Sequence, residues 1–555
     1  MQIHLYDLDL PVAQKLRSFA GEQWARRFWN LDVSLFTADP AQQTQIRESF
    51  GWLHVTDKMA AEIPKLESFR AELEQGGITD AVLIGMGGSS LCPDLLRLTF
   101  PPQGRIRLHV LDSTDPDQIS DVESKLDLKR TLFLVASKSG TTIEVDALHE
   151  YVFAKVKDPA RMAAVTDPGT PLHKLATDRK YRRVFLNPAD IGGRYSALSL
   201  FGLVPATLLG MDLKKFLRSA IQMSVTCGPT IQERDNVAFI LGTFMGEAAE
   251  RGRNKLTLLL SPEIQAFGAW IEQLAAESTG KEGKGIVPID DEPSDAKIDA
   301  SDRIAVAIRL RNGQNRDVDR RLEEFARLRC PAAVIELDDL YDLGGEFLKW
   351  EIATAVAGHV MRINPFDQPN VEESKILTKK RLDEFRSSGR LEEPPPLVED
   401  SGISVWGDTG LDRVSTGADA MRAHLRRAVS GDYVAVLAFL PYSAQNTEAL
   451  GKFRSALAKA TGRATTIGFG PRYLHSTGQL HKGGAPNGLF IEITQDSDRT
   501  LPIPGKAYDF RTLETAQALG DFEALTTRGR RVVRFHLKKG SRQGLETLLG
   551  WVAQG

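Results

Sequence analysis

Apolar positions along the chain change pattern near residue 80. Residues 1–75 carry helical patches, such as residues 12–16, and a charged stretch near residues 65–74. From residue 81 short continuous apolar runs alternate with helical stretches: AVLIGM, RLHVLD, TLFLVAS, MAAVTD and VFLNP. Continuous runs of this length suit strands that are buried on both faces. The pattern therefore predicts a helical start followed by a parallel sheet wrapped by helices, which is an α/β fold.

The same alternation of short apolar runs and helical stretches begins again further along the chain. KLTLLLSP (255–262), IAVAIRL (304–310) and AAVIELD (332–338) predict a second sheet, and the apolar helix FLKWEIATAVAGHVMRI should lie buried between layers. Beyond a proline-rich linker stand four more strand candidates: DYVAVLAFL, ATTIGFG, GLFIEIT and RRVVRFHL. These could form a separate domain, but extension of the second sheet is favoured. The predicted regions are 1–75 (helical), 76–210 (first sheet domain), 211–400 (second sheet domain) and 401–555 (completing the second sheet).

Composition removes several classes of function. The 555 residues carry a net charge of −3, so no basic field would attract nucleic acid or an anionic membrane. No apolar run approaches the roughly 20 residues needed to cross a bilayer. The start, MQIHLYDLDLPVAQKL, lacks the pattern of a secretory signal. The 3 cysteines are far apart, which suggests neither a disulfide framework nor a thiolate metal site. We therefore expect a cytoplasmic protein without nucleic-acid or membrane partners.

A hydroxyl-rich turn is the first candidate for chemistry. In TLFLVASKSGTTIEVDALHEY a predicted strand runs into Ser137-Lys138-Ser139-Gly140-Thr141-Thr142, and a helix follows. Backbone N–H groups, hydroxyls and the positive end of the helix dipole together suit a phosphate dianion. The alternative is that these residues only cap the helix, but capping needs one such residue and four are present. Phosphate binding is therefore favoured.

A related turn, IGMGGSSLCPDLL, precedes it. Gly87 and Gly88 permit close approach of the backbone to a ligand, and Ser89 and Ser90 can donate hydrogen bonds. A glycine pair after a strand is most often only a tight turn, so this signal is weak by itself. Neither the dinucleotide fingerprint nor a P-loop occurs, which disfavours a redox enzyme.

Two further segments carry a candidate group for stabilising an oxyanion and a candidate general base. In NPADIGGRYS, Arg194 follows two glycines, and a guanidinium can stabilise a developing oxyanion without competing as an acid. In SPEIQAFGAWIEQLAAESTGK, Gln273 and Glu277 share one edge of a helix. Glu277 lies where the helix ends, facing the negative end of the dipole, which suits a general base. Taken singly, each is more often an ordinary surface residue.

Five motifs together resemble a known family. GGSS, SKSGTT, NPADIGGRYS, ESTGK and INPFDQPNVEESK stand in the order found in glucose-6-phosphate isomerases, over roughly residues 80–380. The C-terminal stretch with FRTLETAQALGD resembles the isomerase half of fused transaldolase–isomerase chains, and no second catalytic set is present for the transaldolase half. The resemblance implies two doubly wound parallel-sheet sugar-isomerase (SIS-type) domains flanked by helices, with a C-terminal α/β extension.

The resemblance also implies the roles of individual residues. Glu277 would move a proton between C1 and C2 through a cis-enediol, and Arg194 would stabilise the enediolate. Lys375 would assist opening of the sugar ring. The predicted substrate-binding residues, on the phosphate turns and around the sugar, are Gly88, Ser89, Ser137, Lys138, Ser139, Thr141, Thr142, Gln273, Gln368 and His481.

The ring-opening histidine departs from the family pattern. The family places it between the glutamate and the lysine motif, where this chain has only His359, within an apolar helix and more plausibly structural. The segment RYLHSTGQLHKGG (472–484) resembles the family's histidine segment displaced toward the C-terminus. His475 is the predicted ring-opening residue, with His481 as its neighbour and the second choice. A metal site is the other use of two histidines, but their spacing and the lack of a carboxylate partner make it weak.

The predicted activity is therefore interconversion of glucose 6-phosphate and fructose 6-phosphate, in glycolysis and gluconeogenesis, with neither cofactor nor metal. An isomerase of mannose 6-phosphate or of an amino-sugar phosphate stays open, because contacts at C2 are not readable. A non-catalytic sugar-phosphate sensor is disfavoured, since it would not need Glu277 and Arg194. The family implies dimers whose sites borrow a histidine from the partner chain. The displaced histidine leaves monomer and homodimer both open.

Overall fold

The computed structural model describes residues 3–6, 9–497 and 499–554. Within these residues sixteen strands form: β1 Ile3–Tyr6, β2 Asp80–Ile84, β3 Arg107–Leu111, β4 Thr131–Ala136, β5 Met162–Thr166, β6 Arg183–Leu186, β7 Lys255–Leu260, β8 Val287–Ile289, β9 Arg303–Leu310, β10 Ala332–Leu337, β11 Val398–Asp400, β12 Ile403–Gly407, β13 Tyr433–Ala438, β14 Ala464–Phe469, β15 Gly488–Gln495 and β16 Arg531–Leu537.

Helices surround and separate the sheets. In the same described residues the α-helices are α1 Val12–Gly21, α2 Trp24–Trp29, α3 Pro40–Arg47, α4 Val55–Ala60, α5 Ile63–Gln75, α6 Leu91–Thr99, α7 Pro116–Ser124, α8 Ile143–Val156, α9 Pro171–Asp178, α10 Leu200–Leu208, α11 Leu213–Thr226, α12 Val237–Glu250, α13 Phe267–Thr279, α14 Arg316–Arg327, α15 Leu343–Val360, α16 Val371–Ser388, α17 Gly417–Leu425, α18 Ala444–Thr461, α19 Gly478–Gly483, α20 Phe510–Thr527 and α21 Ser541–Ala553. No helix of the described residues is long and apolar enough to cross a bilayer.

The first sheet has the order β3-β2-β4-β5-β6, and all of its strands are parallel. All five apolar runs predicted as strands in this region are confirmed. Strand β2 has β3 on one side and β4 on the other, so the chain order reverses between β2 and β4. Open α/β sheets bind ligands at the carboxyl ends of the strands beside such a reversal. The GGSS turn follows β2 and the SKSGTT turn follows β4, so the fold brings both to that crevice.

The second sheet has the order β1-β10-β9-β7-β8 and is parallel except for β1, which pairs antiparallel with β10. The three predicted strands β7, β9 and β10 are confirmed. The purely helical prediction for residues 1–75 is wrong at its start, because β1 is a strand there. Its side chains alternate between half-buried and exposed, which is the pattern of an edge strand and not of a helix.

The four C-terminal strand candidates are confirmed, but their predicted place is wrong. They form part of a separate six-stranded sheet, β11-β12-β16-β15-β13-β14, and do not complete the second sheet. The reason is the way in which the second and third sheets meet. Strand β8 is only 3 residues long, and Val287 and Ile289 meet the third sheet through apolar packing with Tyr433, Ala435 and Ala464. Side chains and not backbone hydrogen bonds therefore join the sheets.

The predicted apolar helix is confirmed as α15, which lies almost wholly buried against α12. His359 on this helix has the structural place expected of it. Its Nδ1 lies 2.7 Å from the main-chain oxygen of Leu35, and its ring packs against Phe19 and Trp24.

Candidate active site

The SKSGTT turn forms an open end of helix α8. Gly140 has φ +67°, and its amide N–H donates to Ser137 Oγ over 3.1 Å. Ser137 Oγ also lies 3.1 Å from Thr142 Oγ1, and Ser139 Oγ lies 3.0 Å from Thr141 Oγ1. Thr142 is the N-cap residue, yet its side chain makes no capping hydrogen bond. The hydroxyls therefore cluster around the helix end and do not close it, as an anion site requires.

The GGSS turn packs backbone to backbone against the turn that carries Arg194. A Cβ on Gly88 would lie 2.1 Å from the main-chain oxygen of Gly193. A Cβ on Gly87 would lie 2.9 Å from the oxygen of His475 and 3.0 Å from Gln273 Nε2. Both glycines are therefore needed for close contact between the three segments. Ser89, the next residue, is half-buried at the end of this turn.

Arg194 is buried and its guanidinium is fixed from several sides. Its Nε donates to Ser278 Oγ over 2.7 Å, and its Nη1 donates to Gln368 Oε1 over 2.9 Å. Its Nη1 also lies 3.3 Å from Glu277 Oε1. This ion pair holds a permanent positive charge beside the predicted base, as stabilisation of an oxyanion would need.

Glu277 and Gln273 lie one turn apart on α13, as their spacing predicts. Gln273 Nε2 donates to Glu277 Oε2 over 3.1 Å and to the main-chain oxygen of His475 over 2.8 Å. The side chain of Glu277 is 12% exposed, so it is enclosed but still open to a ligand. Gln273 thus ties the base to the segment that carries the displaced histidine.

His475 meets a carboxylate from the first sheet domain. Its Nε2 lies 2.8 Å from Glu144 Oε1, and Gln517 Nε2 donates to the same oxygen over 2.7 Å. Burial opposes the ionisation of Glu144, but the neighbouring His475 outweighs it and keeps the pKa of this carboxyl below its ordinary value. A carboxylate in this place fixes the orientation of the imidazole.

A cavity of about 600 Å³ lies beside His475 and the phosphate turn, and Arg194, Glu277 and Gln273 are not among the residues that line it. It is lined by the phosphate turn, the start of α8, one face of α16 and the His475 segment. Lys375 lies on that face of α16, with Nζ 2.6 Å from Glu372 Oε1 and its side chain half exposed. The structure thus brings Lys375, His475 and the hydroxyl-bearing residues Ser139, Thr141 and Thr142 to one space.

Seven predicted substrate contacts do not line this cavity: Gly88, Ser89, Ser137, Lys138, Gln273, Gln368 and His481. Of these, Lys138 and His481 have other partners. Lys138 Nζ donates to Asp167 Oδ2 over 2.5 Å and to the oxygen of Ala189 over 3.1 Å, and it does not line the cavity. His481 is buried in the core, where its ring packs between Tyr433, Tyr473 and Phe490. This placement corrects the prediction that His481 contacts the sugar. Helix α19 begins at Gly478 and turns its ring away from the cavity.

Glu144 and Gln517 were not singled out by any sequence motif. A glutamate in the first turn of a helix is usually read as a complement to the helix dipole. The phosphate turn directly before Glu144 was the available signal, because it places this residue at the switch point of the sheet. Gln517 stands in the middle of α20 and carries no local signal at all.

The model of the phosphoglucose isomerase family matches residues 53–292. A glucose-6-phosphate isomerase of Rubrobacter xylanophilus is 28% identical over 362 residues, which are 55% of this chain and 83% of the relative. One from Prochlorococcus marinus is 26% identical and covers 60% of this chain and 75% of the relative.

Solved structures share the fold. A hypothetical protein of Thermus thermophilus superposes with a TM-score of 0.58 at 24% identity, over 69% of this chain and all of its own. A glucose-6-phosphate isomerase of Chlamydia trachomatis gives a TM-score of 0.51 at 22% identity, over 59% of this chain and 74% of its own. The stretch that resembles the phosphoglucose isomerase family model, residues 53–292, contains four of the five motifs in their family order.

Proposed function

We propose that this chain interconverts glucose 6-phosphate and fructose 6-phosphate by ring opening and proton transfer between C1 and C2. The observation that carries the proposal is the joint placement of Arg194, Glu277 and Gln273. A guanidinium lies 3.3 Å from a carboxylate, and one amide links that carboxylate to the His475 segment.

The phosphate would bind at the start of α8. The hydroxyls of Ser137, Ser139, Thr141 and Thr142 and the free N–H groups of the first helical turn can donate to its oxygens. The phosphate lies at the far end of the substrate from C1 and C2. Its binding energy therefore serves to hold the reacting carbons in place.

Ring opening would fall to His475. Proton transfer to and from the ring oxygen requires a group that can both give up and accept a proton near pH 7. An imidazole side chain can do both. Glu144 Oε1 lies 2.8 Å from the ring Nε2 and would hold the ring in one orientation while His475 donates a proton and takes it back. Lys375 would assist from the α16 side of the same cavity.

Isomerisation would follow with Glu277 as the base. The proton next to a carbonyl is weakly acidic, so its removal needs a placed base and a stabilised oxyanion at the same time. Glu277 provides the first, and the adjacent Arg194 provides the second without being able to lose its own proton.

The alternatives are less well supported. A sugar-phosphate sensor needs the phosphate turn but gains nothing from a buried guanidinium beside a carboxylate, which costs desolvation of both groups. Isomerisation of another aldose phosphate would use the same machinery. The relatives named above are glucose-6-phosphate isomerases, and this favours the glucose and fructose pair.

The test separates the two chemical steps. Fructose 6-phosphate is added to the purified protein and glucose 6-phosphate is followed through a coupled dehydrogenase. Exchange between the two anomers of glucose 6-phosphate, which needs ring opening only, is followed by NMR. We expect Glu277→Gln to lower isomerisation by about 10²–10⁴-fold while anomer exchange continues. His475→Ala should slow both reactions.

Glu323→Gln is the matched control, because Glu323 is exposed on α14. It should turn over like the wild type. An inactive wild type would refute the proposed reaction. An active Glu277→Gln variant would refute the assignment of the base.

A further inference from the structure

Lys281 lies just after α13, is only 2% exposed, and directs its ammonium group at a single loop. Its Nζ donates to the main-chain oxygen of Asn364 over 2.7 Å and to that of Asp367 over 2.6 Å. A third bond of 2.6 Å reaches Asp367 Oδ1. An ammonium has three donors, so none is left for a substrate.

The same loop, residues 364–368, also holds Arg194. The Nη2 of Arg194 donates to the oxygen of Pro365 over 2.7 Å and to that of Asp367 over 3.0 Å. Its Nη1 donates to the side chain of Gln368. The main-chain oxygen of Asp367 thus accepts from both cations, and the loop is held between Lys281 on one side and Arg194 on the other.

We propose that Lys281 is a positioning residue of the isomerase, which fixes loop 364–368 and through it the guanidinium of Arg194 beside Glu277. The inference rests on the proposed function, because it concerns the group that stabilises the enediolate. Filling the space behind the loop would not require a charge, and a buried ammonium costs free energy of desolvation. The three acceptors around Lys281 explain its charge, because a protonated ammonium group can donate to two carbonyl oxygens and a carboxylate at once.

The charge of Lys281 supplies a separate readout. Burial and then the positive charge of Arg194 lower the pKa of Lys281 to about 8, against the attraction of Asp367 and Glu277. These three are the charged groups that face it, from the Arg194 turn, the loop and α13. The protonated form makes the three bonds. The positioning effect is therefore present below pH 8 and is lost as the pH rises through 8.

The test compares Lys281→Met with Lys284→Met in the full chain. Lys284 stands three positions later, is 37% exposed, and binds Glu250 and the oxygen of Met361 on the other side. We expect Lys281→Met to lower kcat about 10–100-fold with KM almost unchanged, since displacement of a catalytic group costs that much while the phosphate turn is untouched. Lys284→Met should keep the kcat of the wild type.

A double-mutant cycle separates positioning from general destabilisation. If Lys281 acts through Arg194, Lys281→Met should have little further effect on kcat in an Arg194→Lys background, where the guanidinium is already missing. Additive losses would overturn the proposal. Lys281→Arg keeps a charge that is not lost in this range, so the fall of kcat above pH 8 should be absent from it. An unchanged fall in that variant would also count against the proposal.

Asp367→Asn covers the case in which Lys281→Met does not fold. It removes the negative charge from one of the three acceptors and keeps both main-chain carbonyls, so a smaller loss of kcat at constant KM is expected. Circular dichroism shows which variants are folded. An inactive wild type would refute the proposed function. An active wild type together with a folded Lys281→Met variant that keeps full kcat would refute only the role of Lys281 and leave the proposed function standing.

Discussion

Three histidines show how the surroundings of a residue decide what it can do. His475 is partly open to the cavity and faces Glu144, so it can exchange a proton with a ligand. His359 binds a main-chain oxygen among aromatic rings and serves the core. His481 stands six positions after His475 in the same segment, yet it is enclosed by aromatic rings. Sequence spacing alone did not separate His475 from His481, because both lie in one segment with glycines on either side of it.

The burial of His481 has a consequence for stability in acid. Burial lowers its pKa to about 3, whereas an unfolded histidine titrates near 6.5. Between these values the unfolded chain binds a proton that the folded chain does not. The free energy of unfolding therefore falls as the pH drops from about 6.5, by up to about 1.4 kcal/mol per pH unit from this residue.

We expect His481→Phe to remove this contribution. Between pH 7.5 and 5.0 the variant should lose about 2 kcal/mol less stability than the wild type. Urea unfolding at the two pH values measures the difference, and other titrating groups cancel in the comparison. Turnover at pH 7.5 should be unchanged, because the ring lies outside the cavity. Equal losses of stability, or a raised KM, would return His481 to the list of sugar contacts.

At the scale of single elements, the start of α8 is where local conformation and ligand binding depend on each other. Gly140 holds φ +67°, and a Cβ there would lie 2.7 Å from the backbone nitrogen of Leu172. An alanine would therefore have to shift the turn and with it the hydroxyls around the helix end.

We expect Gly140→Ala to raise KM for the sugar phosphate about tenfold, equivalent to about 1.4 kcal/mol of binding, with a smaller effect on kcat. Gly169→Ala is the matched control. Gly169 has φ +81°, but a Cβ there would meet nothing within 4 Å. It should cost about 1 kcal/mol of stability through backbone strain and leave KM unchanged. Competition by inorganic phosphate gives the same comparison without catalysis. Equal KM values in the two folded variants would contradict a phosphate site at this turn.

The elements that could be predicted are those with a strong local pattern. Every short continuous apolar run that was predicted as a strand became one, since burial on both faces demands continuous apolar residues. The strands that escaped prediction are β1, β8, β11 and β12. β8 and β11 have 3 residues each, and β1 and β12 belong to antiparallel pairs, so none of them shows a long run.

The candidate site was predictable only as far as its residues lie in recognisable sequence motifs. Arg194 and Glu277 stand in such motifs, and the structure places them in contact. Glu144 and Lys281 contact residues that are distant in the chain. Their partners are His475 and the loop at residues 364–368, and no local pattern reports a contact over such a separation.

At the scale of the whole molecule, each of the three sheets supplies one wall of the site. The first supplies the phosphate turn and Glu144, and the helix after β7 in the second supplies Glu277. The segment after β14 in the third supplies His475, 331 residues after Glu144. The family resemblance implied a histidine borrowed from a partner chain. In this structure His475 lies beside Glu144 of the same chain, where the third sheet packs against the second through the apolar junction at β8.

A mixing experiment tests whether the site is complete within one chain. Glu277→Gln and His475→Ala each remove one essential group, so each variant alone should be nearly inactive. If sites were shared across a dimer, unfolding and refolding the two variants together would create hybrids with one intact site. About a quarter of wild-type activity would then return in an equal mixture. We expect no recovery, because both groups come from the same chain and every hybrid site still lacks one of them. Two wild-type preparations refolded together control for losses of activity in the procedure. A return of activity in the mixture of variants, but in neither variant refolded alone, would show that His475 reaches the site of another chain.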